Sequence, residues 1–441
     1  MTDNILNGKR LLILGGNPET GILVDIANSL GVYTIVVDPN PDAPAKQRAM
    51  EHREFDGFEV DKIVEFAREK KVDGVLVGVA DILVAPYQAI CEKLNMPCYA
   101  TKDIVKAFCS KDGFKAACEK YGVQDIPGVY INDASQIAGI NLELPLMVKP
   151  VDNGGGVGMS ICYYRSELEE AIIQALSHSK KGGLLVEQYM NCDDMFAYYT
   201  FKNGKVYLSA LADRITTKKQ GNLSPVCIGA IYPSKHAKEF IKNVNPRMVS
   251  FFEKLGVKNG VLNVQFFIKA GRFYAYDPGF RLQGEAPNIH ISEINKFDHR
   301  KMLINFALTG SLGVDDFNEK NDCLFKNGYA ATIWVLLKSG TIANVKGLDL
   351  IKSDKNVSFV MERFFENDII EPNMIGTERQ VFARIYLQCN EFEELKEKVI
   401  EFQQILEIKD SNGENMIIDW VSPASVMNYK FVNTAEHRRL N

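Results

Sequence analysis

Lys149 and the glycines that follow it carry the sharpest chemical signal in the chain. A strand ending Leu146-Met147-Val148-Lys149-Pro150 runs into Gly154-Gly155-Gly156-Val157-Gly158. A lysine offers a point charge to phosphate oxygens, and consecutive glycines let backbone N–H groups reach an anion that any Cβ would hold off. Together they point to a triphosphate; the bland alternative is a strand followed by an ordinary loop. Downstream, Glu187-Gln188-Tyr189-Met190 closes another strand, and Asp194 follows seven residues after Glu187. Such a segment can read adenine through exposed backbone groups while Asp194 accepts ribose hydroxyls.

A second constellation lies on a strand pair, with Gln265 on one strand and Asp277 at the end of the other, followed by Gly279 and Arg281. Magnesium takes one or two protein oxygens plus substrate phosphates, so an amide oxygen and a carboxylate are a sparse but sufficient set. Arg281 adds a forked positive charge for a phosphate or carboxylate. Arg214 opens the irregular stretch Arg214-Ile215-Thr216-Thr217-Lys218-Lys219, a loop able to close over a nucleotide and an incoming acid. His290 and His299 match no zinc spacing and read as structural or substrate-adjacent. No nucleophile elbow supports serine chemistry, and covalent cysteine catalysis has no support either.

These residues need a scaffold, and the pattern supplies one. Residues 1–100 alternate strand and helix as in a parallel sheet, with strands at Arg10–Leu14, Tyr33–Val37 and Gly74–Val79 and helices at Glu19–Leu30, Asp61–Lys70 and Asp81–Leu94. Gly15, Gly16 and Gly21 miss the dinucleotide fingerprint spacing, so nicotinamide cofactor binding is set aside. A helix is expected over Thr101–Tyr121, N-capped by Thr101 and C-capped by Gly122, with Lys111 inside it. Strands dominate from Pro145, with a hairpin turn at Asn203-Gly204, and a long helix is expected over Lys235–Leu255. The last ~110 residues form a third unit, with strands at Tyr329–Leu337 and Thr341–Val345 flanking Ser339-Gly340 and a helix over Glu391–Ile408.

With 441 residues and about 150 per domain, some three domains are expected. The net charge of -5 carries no basic excess for nucleic acid or an anionic membrane. Nine scattered cysteines without a C-x-x-C pair fit a reducing, cytoplasmic setting. No stretch approaches the ~20 apolar residues of a membrane span, and the short apolar strand at Leu11–Leu14 is too brief for a signal segment.

In this order and spacing the elements resemble the ATP-grasp superfamily, closest to its carbamoyl-phosphate-synthase-like, biotin-carboxylase-like and amino-acid-ligase branches. The resemblance implies an α/β fold with an N-terminal Rossmann-like parallel-sheet domain (1–105), a two-lobed ATP-grasp domain (106–320, lobes meeting near 190) and a C-terminal β-rich cap (321–441). It implies ATP and magnesium, or manganese in its place, as cofactors. Lys111 and Lys149 would contact ATP phosphates beneath Gly154, Gly155, Gly156 and Gly158. Glu187, Gln188 and Met190 would offer backbone contacts to adenine, and Asp194 would hold the ribose. Gln265 and Asp277 would bind the metal, and Arg281, with Lys149, would serve catalysis. Small carboxylate and amine substrates would meet Arg214 and Asp81.

The family often ends its metal motif E-x-N-x-R, whereas this chain reads Asp277-Pro278-Gly279-Phe280-Arg281. One metal ligand is thereby lost, and one versus two metals stays open. The reaction implied is ATP-dependent carboxylate–amine ligation through an acyl phosphate. Bicarbonate activation through carboxyphosphate and nucleotide binding without turnover stand as alternatives, and the oligomeric state is open, a homodimer included.

Overall fold

The computed structural model describes residues 5–151, 158–179, 182–217, 225–421 and 429. Its opening segment forms a four-stranded parallel sheet in the order Glu51–Arg53, Tyr33–Val37, Arg10–Leu14, Gly74–Val77. The last three are almost wholly buried runs of Leu, Ile and Val, as strands covered by crossover helices must be. Strand order reverses between Arg10–Leu14 and Gly74–Val77, so the loops Gly15–Asn17 and Gly78–Asp81 flank the crevice where α/β sheets take ligands. Within the first loop, the Gly16 N–H bonds Asp38 at 2.7 Å.

The expected helix over Thr101–Tyr121 is two helices, Lys102–Phe108 and Lys111–Tyr121. Thr101 and Gly122 cap as expected, but Ser110 is extended and its hydroxyl accepts from the Gly113 N–H, a second N-cap worth about 1 kcal/mol. The break puts Lys111 at the first position of the second helix. The expected helix over Lys235–Leu255 is likewise split, into Ala237–Asn243 and Asn245–Leu255, because Pro246 has no N–H to continue the ladder.

A small antiparallel sheet follows, ordered Gly128–Ile131, Leu184–Gln188, Leu146–Pro150, Ser160–Cys162, with the helix Leu168–His178 on one face. Strand alternation decides what each side chain meets. Leu146, Val148, Leu184 and Val186 turn to the helix, which leaves Met147, Lys149 and Glu187 on the other face.

That face looks toward a nine-stranded antiparallel sheet. Its order is Arg272–Gly279, Gly260–Lys269, Asp193–Lys202, Lys205–Thr216, Cys227–Tyr232, Tyr329–Leu337, Val381–Cys389, Val357–Glu362, with Ile417–Asp419 beside Tyr329–Leu337. Asn203 and Gly204 make the hairpin turn expected of them, both at positive φ. One sheet therefore runs from the Gln265/Asp277 hairpin into the C-terminal third. Tyr329–Leu337 and the strand after Ser339 do not pair with each other. Gly340, at φ 142°, swings Gly340–Lys346 into a separate three-stranded sheet with Ile369–Ile370 and Glu407–Asp410. The helix expected over Glu391–Ile408 stops at Ile405, its tail becoming the strand Glu407–Asp410. No helix among the described residues is long and apolar enough to cross a membrane.

Candidate functional site

Between the small sheet and the large one lies a cavity of about 250 Å³. Nine residues singled out from the sequence line it: Lys111, Lys149, Glu187, Gln188, Met190, Asp194, Arg214, Gln265 and Asp277. Five separate stretches of chain bring them there. Lys149 is 5% exposed and its ammonium pairs with the Glu187 carboxylate, which also lies 3.6 Å from Lys115. Lys111, from its helix start, faces the same space. Burial pushes its ammonium below the ordinary lysine range, Asp277 opposing and Lys149 adding to the effect.

The backbone after Glu187 is partly committed. Gln188 N–H bonds the Pro127 carbonyl and Tyr189 N–H that of Pro145, both at 2.9 Å. Among the described residues Met190 N–H meets no acceptor, which leaves it as the donor this segment offers to a ligand.

The opposite wall is a dense polar network around Arg214. Its guanidinium donates to Asp194 at 2.6 Å, to the Tyr276 hydroxyl at 2.9 Å, to the Gln265 amide oxygen at 3.2 Å and to Glu285 at 3.1 Å. Burial works against this charge, but Asp194 and Glu285 outweigh it and hold the guanidinium firmly protonated. Burial also lifts the Asp194 carboxyl to about 6, with Arg214 pulling the other way. Asp194 thus stands as a partner of Arg214 and Tyr276.

Gln265 and Asp277 are direct partners in the hairpin register. The next pair is Phe266 with Ala275, so Tyr276 is the extra residue of a bulge. That bulge is why Tyr276 and Asp277, adjacent in sequence, both line the cavity. An amide oxygen and one carboxylate suit a hard cation shared with phosphate rather than one held by protein alone. Among the described residues there is no group of three or more His, Cys, Asp or Glu placed for a metal.

Arg281 and Asp81 lie outside the cavity lining and pair with each other. Asp81 comes from the edge of the parallel sheet, so this pair bridges the N-terminal unit to the hairpin. Asp277 acts electrostatically on both, which sets the pair beside the Gln265–Asp277 end of the cavity. Gly158 is described, at φ 72°, and a Cβ there would press on His178 and Pro150. Gly154, Gly155, Gly156, Lys218 and Lys219 lie outside the described residues. His290 and His299 are fully buried, bonded to Thr332 and Thr200, and desolvation holds each near 3, so both are neutral packing groups.

Tyr276, Glu285 and Glu378 escaped the sequence reading. Tyr276 depends on the bulge, Glu285 reaches Arg214 from the loop after Arg281, and Glu378 lines the cavity from the C-terminal third. Only Tyr276 had a local signal, its place beside Asp277.

Comparison with known proteins finds chains of similar fold. Residues 132–276 match the family model described as D-ala D-ala ligase C-terminus. The carbamoyl phosphate synthase large chain of Clostridium botulinum is 22% identical over 312 residues, 66% of this chain. The chain spans only 28% of that relative's length. The L-amino acid ligase of Bacillus licheniformis superposes with a TM-score of 0.76 at 19% identity, covering 92% of this chain and all of that one. The biotin carboxylase domain of the Hydrogenobacter thermophilus 2-oxoglutarate carboxylase, a dimer in complex with MgADP, ADP and bicarbonate, gives 0.73 at 18% identity, covering 96% of this chain and 94% of that one. These likenesses establish a shared fold.

Proposed function

We propose that this chain is a member of the ATP-grasp superfamily and an ATP-dependent carboxylate–amine ligase. It activates a carboxylate as an acyl phosphate, couples it to an amine, and releases ADP and phosphate. The supporting observation is the convergence of Lys111, Lys149 and the Gln265–Asp277 pair on one cavity. Phosphoryl transfer needs positioning and charge neutralisation more than covalent chemistry, and these groups supply both.

In this reading Met190 N–H meets the adenine edge and Asp194 the ribose, which requires Asp194 to share its carboxylate with Arg214. Lys111 and Lys149 hold the phosphates. Gln265 and Asp277 hold magnesium, or manganese, which when bound neutralises phosphate charge. Arg281 stabilises the charge that develops on the transferred phosphate, and Asp81 orients it. The acid and amine enter between the parallel sheet and the large sheet, near Asp81 and Arg214. A homodimer is proposed from the likeness to the dimeric biotin carboxylase domain.

A second reading is carboxyphosphate formation from bicarbonate, favoured by the likeness of nearly the whole chain to a carboxylase domain bound to bicarbonate. An acid-by-amine panel scored by phosphate release and product mass tests both. Release that requires an acid and an amine supports ligation, release that requires bicarbonate alone supports the second reading, and tight ATP binding without release overturns both.

A further inference from the structure

The strand Val381–Cys389 is entered through a short turn that forms one wall of the cavity, where Gly376 and Glu378 line it. Several contacts hold this turn. Thr377 caps it, its hydroxyl accepting from the Arg379 N–H at 3.2 Å and donating to the Met374 carbonyl at 2.7 Å. Gln380 is buried, and its amide oxygen accepts from the Gly376 N–H at 3.3 Å. Arg363 donates to the Glu378 carbonyl at 3.1 Å. The backbone that carries the Glu378 side chain is therefore fixed before any ligand arrives.

Four carboxylates line the cavity among the described residues, and three of them are accounted for. Glu187 pairs with Lys149, Asp194 with Arg214, and Asp277 lies opposite Gln265 at the end proposed for the metal. Glu378 differs. The one cation its carboxylate reaches among the described residues is Arg384, at 3.7 Å, and that guanidinium already donates to Glu19 at 2.7 Å. The Glu378 side chain is 46% exposed, so a molecule entering the cavity can reach it. A carboxylate placed there repels a triphosphate and attracts a cation. Arg384 also fixes its location, because Glu19 belongs to the helix Pro18–Ser29: Glu378 stands where the N-terminal unit meets the large sheet, the side from which the acid and amine are proposed to enter.

Resting on the ligase reading, we propose that Glu378 binds the second substrate as an ammonium ion, which makes that substrate a primary amine rather than an alcohol, a thiol or an uncharged nitrogen. The ammonium gives one proton to the Glu378 carboxylate. The neutral amine then attacks the acyl carbon, the C–N bond forms, the C–O bond to phosphate breaks, and the amine's second proton leaves on the phosphate. Glu378, half open to solvent, returns its proton to water.

The test uses the full chain with ATP, magnesium and the acid–amine pair that gives the greatest phosphate release in the panel. Hydroxylamine, uncharged at neutral pH, replaces the amine in a parallel assay and captures the acyl phosphate as a hydroxamate without need of an ammonium site. Glu378→Gln, which keeps the size of the side chain, should raise KM for the amine roughly tenfold or more while KM for ATP and the magnesium requirement stay as in wild type. It should also cut amide formation roughly tenfold more than hydroxamate formation. Equal effects on amide and hydroxamate, or an unchanged KM for the amine, overturn the role of Glu378 and leave the ligase reading standing. A raised magnesium requirement overturns it as well, by making Glu378 a metal ligand. Wild type that forms no hydroxamate with any acid of the panel overturns the ligase reading and the ammonium site together.

Discussion

Arg384 donates to Glu19 at 2.7 Å although the two stand 365 positions apart in the chain. Glu19 sits in the first turn of the helix Pro18–Ser29, and Arg384 in the strand Val381–Cys389. Their side chains are 5% and 1% exposed. The same guanidinium lies over the Trp334 ring at 4.3 Å and donates to the Gly284 carbonyl. One side chain thus ties together the parallel sheet, the loop after Arg281 and the C-terminal strands. Gly284 also neighbours Glu285, so the tie reaches the Arg214 network that walls the cavity.

A buried pair of this kind is felt most when one member is removed, because without Glu19 the Arg384 guanidinium keeps only the more distant Glu378 carboxylate, at 3.7 Å. Glu19→Ala should therefore cost about 3–5 kcal/mol. Glu19→Ala with Arg384→Met should recover part of that loss, since no isolated charge remains. Urea unfolding followed by tryptophan fluorescence checks this, with Trp334 in place as the reporter. A Glu19→Ala midpoint equal to wild type would show that the pair does not join the units.

Lys149 has two tasks, which substitution should separate. Lys149→Ala removes the proposed phosphate contact and leaves Glu187 with Lys115 at 3.6 Å as its nearest cation. ATP-dependent phosphate release should fall by roughly 10²-fold or more, the scale for a charge-stabilising donor lost from a phosphate site. Adding Glu187→Gln should restore thermal stability without restoring turnover. Phosphate release unchanged in Lys149→Ala would remove its assigned role.

The legible parts of this molecule were those with local causes. The parallel strands announce themselves as apolar runs ended by glycine or aspartate, and Lys149 follows such a run on the cavity face of its strand. What stayed hidden depends on distant partners. Val381–Cys389, which the sequence reading did not single out, carries Arg384 and Gln388, whose partners Glu19 and His290 lie far off in the chain. Tyr276 is aimed by a bulge that strict alternation cannot show. The break at Ser110 falls inside the one helix expected over Thr101–Tyr121, because the serine hydroxyl caps a second helix there, and it sets where Lys111 begins that helix.

His290 and His299 should set an acid limit on stability. Each is held near 3 by burial, below the ordinary value of about 6.5. The unfolded chain therefore binds more protons between those limits. Their contribution is complete above the unfolded value and is lost as pH falls toward 3, about 2 kcal/mol per histidine between roughly pH 7 and pH 5. Asp194, raised to about 6, has the opposite sign: its contribution is present in acid and lost as pH rises through 6. Comparison of variants isolates each group. The melting temperature of His299→Gln should vary less steeply with pH than that of wild type, and parallel curves would show that His299 is not a buried neutral group.

Gly279 stands where the family often has asparagine, and the structure explains why asparagine does not simply fit. A Cβ built there comes within 3.1 Å of an Asp81 carboxylate oxygen and 3.2 Å of the Arg281 guanidinium. The space a metal-ligating side chain would need is taken by the Arg281–Asp81 pair. Gly279→Asn, although it adds an oxygen, should push that pair apart and lower phosphate release by roughly tenfold, the effect of about 1.4 kcal/mol on the barrier. Gly279→Ala should already show part of the loss, because the Cβ alone makes the close contacts. Titration with magnesium distinguishes the causes: a contact effect lowers the maximal rate at saturating metal. If Gly279→Asn instead raises the maximal rate or tightens magnesium use, the glycine is a lost ligand and the Arg281–Asp81 pair yields to it.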